Sequence, residues 1–456
     1  MSVFLEKLGR NERRAGSALA LIYAFRMFGL FMIMPVFALH AETMPEATPL
    51  LAGLALGIYG LTQSVLQIPF GMLSDRIGRK PVIMVGLVIF ALGSLVAASA
   101  DSIYGIILGR ALQGSGAIAA ALMALAADLS REEHRTKMMA LIGASIGAAF
   151  ALSMVLGPML NELIGISGIF ATTALMALVG IAILYLIVPD PLHSHFHSDA
   201  EVRTSSIFDV IRDTQLLRLD GGIFILHFSL MCVFLVMPLE LRDTALLEPA
   251  SHWKMYLPVF AASVILMLPF VIMAERQRKI KTVFVGAIVV LIVAVSGFLF
   301  SFDLTTLTLS LVIFFAGFNL LEASLPSLVS KTSRATLKGT AMGVYSSSQF
   351  LGAFAGGVIG GLAHELWGID GLYRVVILVL VVWLLFAATM KKPRYLSTYL
   401  MNIGVQNESD IAPLSAQLAE ISGVVEVSII ADEGVAFLKV EKHVLDEEKL
   451  LSFMVT

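Results

Sequence analysis

The chain has 456 residues, 58% hydrophobic and only 14% charged, with a net charge of −3. Soluble domains carry about a quarter charged residues, so lipid must surround most of this chain, and bulk attraction to nucleic acid is excluded. The single cysteine, Cys232, excludes an intramolecular disulfide and a cysteine metal site. No phosphate-binding Walker loop occurs, which argues against ATP-driven chemistry. No nucleophile–base pair lies at usable spacing, so an enzyme has no support.

A helix needs about 20 apolar residues to cross a bilayer. The sequence predicts twelve, at about 16–40, 51–73, 81–100, 103–127, 137–161, 166–188, 220–240, 254–274, 282–301, 304–329, 339–363 and 369–390. The first follows Lys7, Arg10, Arg13 and Arg14, yet its apolar run is too long for a signal peptide, so an uncleaved span is expected. After span two comes a charged turn, Gly71 to Lys80, with Asp75, Arg76, Gly78 and Arg79. The connections alternate in charge: 23 basic residues fall on one set and only Arg242, Lys254 and Arg374 on the other. By the positive-inside rule both termini are cytoplasmic.

The polar stretch 190–218 separates two groups of six spans and carries His193, His195 and His197. It reads as a loop with incidental histidines, the alternative being a metal site. The expected division is a first half at 1–189, a linker at 190–218, a second half at 219–390, a short linker at 391–398 and a soluble module at 399–456. A shift of 200 aligns the halves: Pro69 meets Pro269, Asp75 meets Glu275, Arg76 meets Arg276, Arg79 meets Lys279, Gly86 meets Gly286 and Gly143 meets Gly343. Parallel six-span repeats imply two pseudo-symmetric bundles.

Ionisable groups inside spans are functional candidates. Arg26 lies about 15 Å into span one, Arg110 lies in span four, His227 in span seven, and Glu322 in span ten between Asn319 and Ser324. Glu240 ends span seven, as an interface residue or a functional one. Proton coupling needs a buried group that loads and empties near neutral pH, a part open to a carboxylate in an apolar cavity or to a histidine. Glu322 and His227 are the leading candidates. The competing readings are a hydrogen-bonded core histidine and a permanent pair of Glu322 with Arg26 or Arg110.

These features resemble the major facilitator superfamily, closest to its drug:proton antiporter branch. Gly71-x-x-x-Asp75-Arg76-x-Gly78-Arg79-Lys80 matches the family's loop motif, and Arg110-Ala-Leu-Gln113-Gly114-Ser-Gly116 matches a second motif in span four. Gly143, Gly147, Gly157 and Pro158 match the antiporter motif of span five, which departs at Asn161 and Glu162, where glycines are expected. The resemblance implies that Asp75 meets the start of span eleven near Gly339 and Thr340. It also implies that Arg79 meets Asp128, so that the turn latches the halves. A carboxylate beside a bilayer does need a cation or a helix N-terminus.

Beyond residue 391 the chain turns water-soluble. Strands are predicted at 399–405, 424–430 and 435–440, and helices at 409–421 and 445–454, a ferredoxin-like order lacking its last strand. The module is similar to heavy-metal-associated domains, but its 404–410 loop has no cysteine, so no metal or cofactor is expected. Docking, self-association and ion sensing stay open. The expected whole is an all-α protein of twelve transmembrane helices with a small α+β tail, in the inner (plasma) membrane. It would export small apolar or amphipathic compounds against protons by rocking its halves. A proton-coupled uptake symporter and a membrane sensor signalling through the tail are the alternatives.

Overall fold

A computed structural model describes residues 9–190, 206–334, 337–390, 397–404, 408–430, 434–441 and 444–453. The three linker histidines, the 405–407 loop, the turn at 431–433 and the side chain of Glu275 lie outside them. Among the described residues nine helices are long and apolar enough to span a membrane. Two of these, Glu132–Leu186 and Lys338–Ala388, have 55 and 51 residues. At about 1.5 Å per residue each is roughly twice as long as a bilayer is thick. Each is broken at one glycine, Gly165 (φ 66°) or Gly368 (φ 70°), and so makes two spans. With Arg10–Phe31, whose first turns are charged, the total is twelve.

Several spans differ from expectation at their ends. Span one stops at Phe31 and resumes as Phe37–Ala41, since Pro35 lacks the N–H that a continuous helix requires. Span four is interrupted after Ser115, at Gly116, and resumes at Ala119. Span seven begins at Thr214, six residues earlier than its apolar run. The Asp213 side chain accepts the backbone N–H groups of Gln215 (2.8 Å) and Leu216 (3.3 Å), a cap that pulls the helix start into polar sequence.

The duplication is visible in the backbone. Pro69 and Pro269 both sit inside helices, Pro49–Ile77 and His252–Arg276. Gly78 turns the chain after span two with φ 97°, and Arg278, 200 positions later, takes φ 54°. The second copy therefore keeps a left-handed turn even though a side chain makes it unfavourable there. It does not keep the burial: Arg79 is buried, whereas Arg276 and Lys279 are exposed.

The first half has its own apolar core around Leu19, Ile83 and Leu122. The second half's core also takes in Met32, Phe37, Leu56 and Ile103 of the first. All four lie toward the end opposite the basic connections, called here the far end. The tail forms a sheet of β1 (Ser397–Asn402), β2 (Val424–Ile430) and β3 (Val435–Val440) in the order β1-β3-β2, antiparallel throughout. The helices Glu408–Ala419 and Glu447–Leu451 accompany it, over a core of Met401, Leu418, Leu438 and Leu450. This is three-quarters of a ferredoxin-like sheet. β1 is shorter than predicted because Asn402 Oδ1 accepts the N–H of Gly404 (3.0 Å) and turns the chain. The last helix starts late, after its cap Asp446, whose side chain accepts the Lys449 N–H (3.1 Å). Lys439 of β3 donates to the Ser333 carbonyl at the basic end of span ten and pairs with Glu426 (3.4 Å).

Candidate transport site

The two halves meet closely along spans two and eleven. A Cβ at Gly53 would run into the carbonyl of Gly357, so only a glycine pair lets these backbones come together. Nearer the middle, Ser64 Oγ donates to the Ser347 carbonyl (3.0 Å) and Ser347 Oγ to the Ser64 carbonyl (3.4 Å). At the far end Arg242 holds Glu42 (2.6 Å), and the Leu50 N–H donates to Glu365 (3.1 Å). Phe150 of span five inserts its ring among four phenylalanines of the other half. It lies edge-on to Phe260 (5.5 Å) and Phe234 (6.4 Å), tilted to Phe315 (6.2 Å), and near parallel to Phe318 (6.3 Å). Phe31 closes the cluster at 5.0 Å from Phe150. These contacts seal the far side, while Gly143 and Gly147, in the basic half of span five, face open space.

Beneath this aromatic lid sits a polar trio. Gln349 of span eleven donates its amide N–H to Glu322 Oε1 (3.2 Å), and its Nε2 lies 2.8 Å from His227 Nε2. With the amide as donor to both, His227 carries its proton on Nδ1, 3.9 Å from Glu322 Oε2. The His227 ring lies 5.8 Å from Phe318. Glu322 is ten residues from the end of Leu304–Thr332, about 15 Å in depth, yet its side chain is 37% exposed. Asn319, one turn away, bonds instead to Ser263 (3.2 Å).

Arg26 and Arg110 do not join this trio. Both are 1% exposed and lie inside the first half. Arg26 bonds Gln63, which bonds Gln67 (3.1 Å). Arg110 bonds Gln113 (3.0 Å) and the carbonyls of Ala55 (3.4 Å) and Leu56 (3.3 Å), and its guanidinium lies 5.0 Å from the Tyr59 ring centre. Both arginines take their hydrogen-bond partners from the first bundle, and no ion pair of Glu322 with either is present among the described residues. Glu240 is 8% exposed and accepts from Tyr373 Oη near the far end of span seven.

In the charged turn, Arg79 is the hub. Its Nε donates to Asp128 (3.2 Å), and its Nη1 donates to Ser74 (2.8 Å) and Asp75. In this structure Asp75 pairs with Arg79 of its own half, and no contact of Asp75 with Gly339 or Thr340 is present among the described residues. Lys80 bonds the Val188 carbonyl (2.7 Å) and Asp190 (2.7 Å), while Arg76 is exposed. Gly71 packs against Ala120, and Gly78 makes the turn. In span five, Gly157 packs on the Met32 carbonyl and Pro35, where span one is broken, and Pro158 is buried beside it.

Three features escape sequence reasoning. One is the Phe150 cluster. Another is a basic-end junction in which Glu12 accepts from Arg131 Nε (3.3 Å) and lies 2.8 Å from His134 Nδ1. Burial works against the charge of Glu12, but hydrogen bonds from Arg131, Gly9 and His134 prevail and hold its pKa down at about 2. The third is Asp220, 4% exposed inside span seven, with Oδ2 buried and without a hydrogen-bond partner. Its only sequence signal is the capping Asp213 that starts the helix early.

The sequence profile of the Major Facilitator Superfamily matches residues 19–318 and 219–398. The inner membrane transport protein YajR of Escherichia coli (strain K12) is 44% identical over 96% of this chain and 96% of its own. The multidrug resistance protein MdtH of Aeromonas hydrophila is 26% identical over 78% of this chain and 89% of its own. The fold also matches a solved bacterial homolog of the human lysosomal transporter Spinster, inward-facing and occupied. That match has a TM-score of 0.68 at 13% identity and covers 84% of this chain and 98% of the other. The duplicated run of apolar helices and these similarities have one explanation: the chain belongs to the major facilitator superfamily and is a multi-pass membrane transporter.

Proposed function

We propose that the protein is a proton-coupled antiporter exporting small apolar or amphipathic compounds across the inner membrane, with both termini cytoplasmic. The observation that carries this reading is the Gln349-linked pair of Glu322 and His227, under a phenylalanine lid. A carboxylate at such depth is expensive to keep ionised, so exchange of its proton can be coupled to exchange of a substrate. Phe31, Phe150 and Phe318 offer rings to an apolar ligand, and the name of the MdtH relative agrees with such cargo. Substrate enters while the cavity faces the cytoplasm. Closure at that end, and release of the Arg242–Glu42 tie at the other, exposes it outward.

The test is transport in proteoliposomes under an imposed pH gradient with a panel of lipophilic cations, comparing the wild type with Glu322→Gln. Gradient-driven export that is lost in the variant supports the reading, and undiminished flux overturns it. Accumulation in the opposite direction would mark an uptake symporter. The Lys439–Ser333 contact favours one second reading, a sensor whose tail reports the position of span ten. It predicts no flux, and loss of signalling when 397–456 are removed.

A further inference from the structure

Among the described residues, Gln349 makes the hydrogen-bonded link between Glu322 and His227. Glu322 Oε2 and His227 Nδ1 lie 3.9 Å apart, and each is buried with no hydrogen-bond partner. The Gln349 amide instead reaches Glu322 Oε1 (3.2 Å) and His227 Nε2 (2.8 Å), so one side chain of span eleven ties it to spans ten and seven. Span eleven is packed on two sides. Cβ atoms at Gly352 and Gly356 would strike the carbonyls of Phe224 and Phe228, so one side is seated on span seven of the same half. Ser347 and Phe350, two residues before Gln349 and one after, face span two of the other half. Ser347 exchanges hydrogen bonds with Ser64 (3.0 and 3.4 Å), and a Cβ at Gly60 would meet the Phe350 carbonyl. The rings of Phe350 and Tyr59 lie 6.4 Å apart. Gln349 therefore holds the acid from within one turn of the contact between the halves.

We propose that Gln349 is a positioning residue that locks the empty transporter: it holds span eleven, and with it the contact to span two, for as long as Glu322 is ionised. A hydrogen bond to a carboxylate is roughly twice as strong as one to a neutral acceptor. With Glu322 ionised, the amide ties three spans together and the far side stays sealed. A proton on Glu322, or cargo that displaces the amide from it, weakens the tie and frees span eleven to shift against span two. The titratable groups near Glu322 are His227 of span seven and Tyr345 of span eleven. Spans eight and nine carry no ionisable side chain over 257–273 and 283–299. A neutral His227 keeps Nε2 as an acceptor for the amide. An antiporter that changes sides while empty and unprotonated leaks, because each cycle carries one proton inward and returns nothing. Gln349 blocks that return, so the inward proton is released only in exchange for outward cargo. The inference rests on the proton-coupled reading above.

The experiment measures proton entry into proteoliposomes of the full-length protein, under an imposed pH gradient and without cargo. The wild type should stay tight. Gln349→Leu should leak faster by about tenfold or more, the scale set by losing one hydrogen bond to a charged group. Adding Glu322→Gln to that variant should abolish the leak, because Glu322 carries the proton, whereas a general packing defect would leak with or without it. Wild-type tightness in Gln349→Leu, or a leak that survives Glu322→Gln, would overturn this inference. Neither result touches the transport reading, which falls if Glu322→Gln alone leaves gradient-driven export undiminished. If Gln349→Leu does not fold, Gln349→Asn decides: it keeps the amide, is one methylene too short to span both partners, and should leak alike.

Discussion

Arg242 of the second half grips Glu42 of the first at 2.6 Å, an ion pair that bridges the halves at the far end. Its side chains are 36% and 46% exposed. Exposed pairs contribute about 0.2–1 kcal/mol. Arg242→Ala should therefore shift the population toward far-side opening by at most about fivefold. Distances between spin labels on the far ends of spans two and seven would measure this, and a complete switch would show that the pair does more than its exposure allows.

Phe150 should matter more. One ring contacts four phenylalanines of the other half. Burying Phe in a full core is worth about 3–5 kcal/mol against Ala, and this half-buried ring should contribute about 2–3 kcal/mol on the same basis. Phe150→Ala should open the far side more than tenfold, with Phe150→Leu intermediate. An unchanged distance distribution would exclude it as a gate.

The charged turn should divide by burial. Arg79 and Asp128 have side chains 2% and 0% exposed. Removing Arg79 takes from the buried Asp128 the guanidinium it pairs with, at about 3–5 kcal/mol, and removing Asp128 takes one of the two carboxylates that pair with Arg79. The side chain of Asp75 is 36% exposed, so Asp75→Asn should lower thermal stability much less, and Arg76→Ala hardly at all. Removing Arg79 and Asp128 together should recover part of the loss. Melting of the purified variants tests this order, and equal losses at Asp75 and Asp128 would contradict it.

Glu12 supplies a pH dependence outside the membrane. Its pKa is held at about 2 from an ordinary 4.5. A depressed carboxylate stabilises the folded state fully above its unfolded value, and that contribution fades as pH falls toward the folded value. The melting difference between wild type and Glu12→Gln should be constant above about pH 5. It should shrink steadily below that. A difference that grows on acidification would reverse the sign of this argument.

Much of the architecture is written locally. Lipid forces each crossing to satisfy its own backbone, so twelve spans read as twelve apolar runs, and the turn at Gly71–Lys80 stands out because charge is scarce. The pairing of Arg79 with Asp128 came from the family motif, and the structure forms it. The same excess of apolar residues hides other things. Phe150 is one of 28 phenylalanines, and nothing in a lipid-facing pattern distinguishes a gate ring from a tail-facing one. Asp220 was lost at a helix start, where propensity and capping, not hydropathy, set the boundary.

The sequence by itself determined the membrane crossings, the duplication, the charge asymmetry and the candidate residues Glu322 and His227, because each depends on neighbours a few positions away or on a fixed repeat. Only the tertiary structure decided that Arg26 and Arg110 stay within the first bundle, that Gln349 joins Glu322 to His227, and that Glu42 finds Arg242 two hundred residues away. Those pairings follow from how helices lean on one another, and helix packing in lipid is set by small-residue contacts such as Gly53 on Gly357, which no local pattern announces.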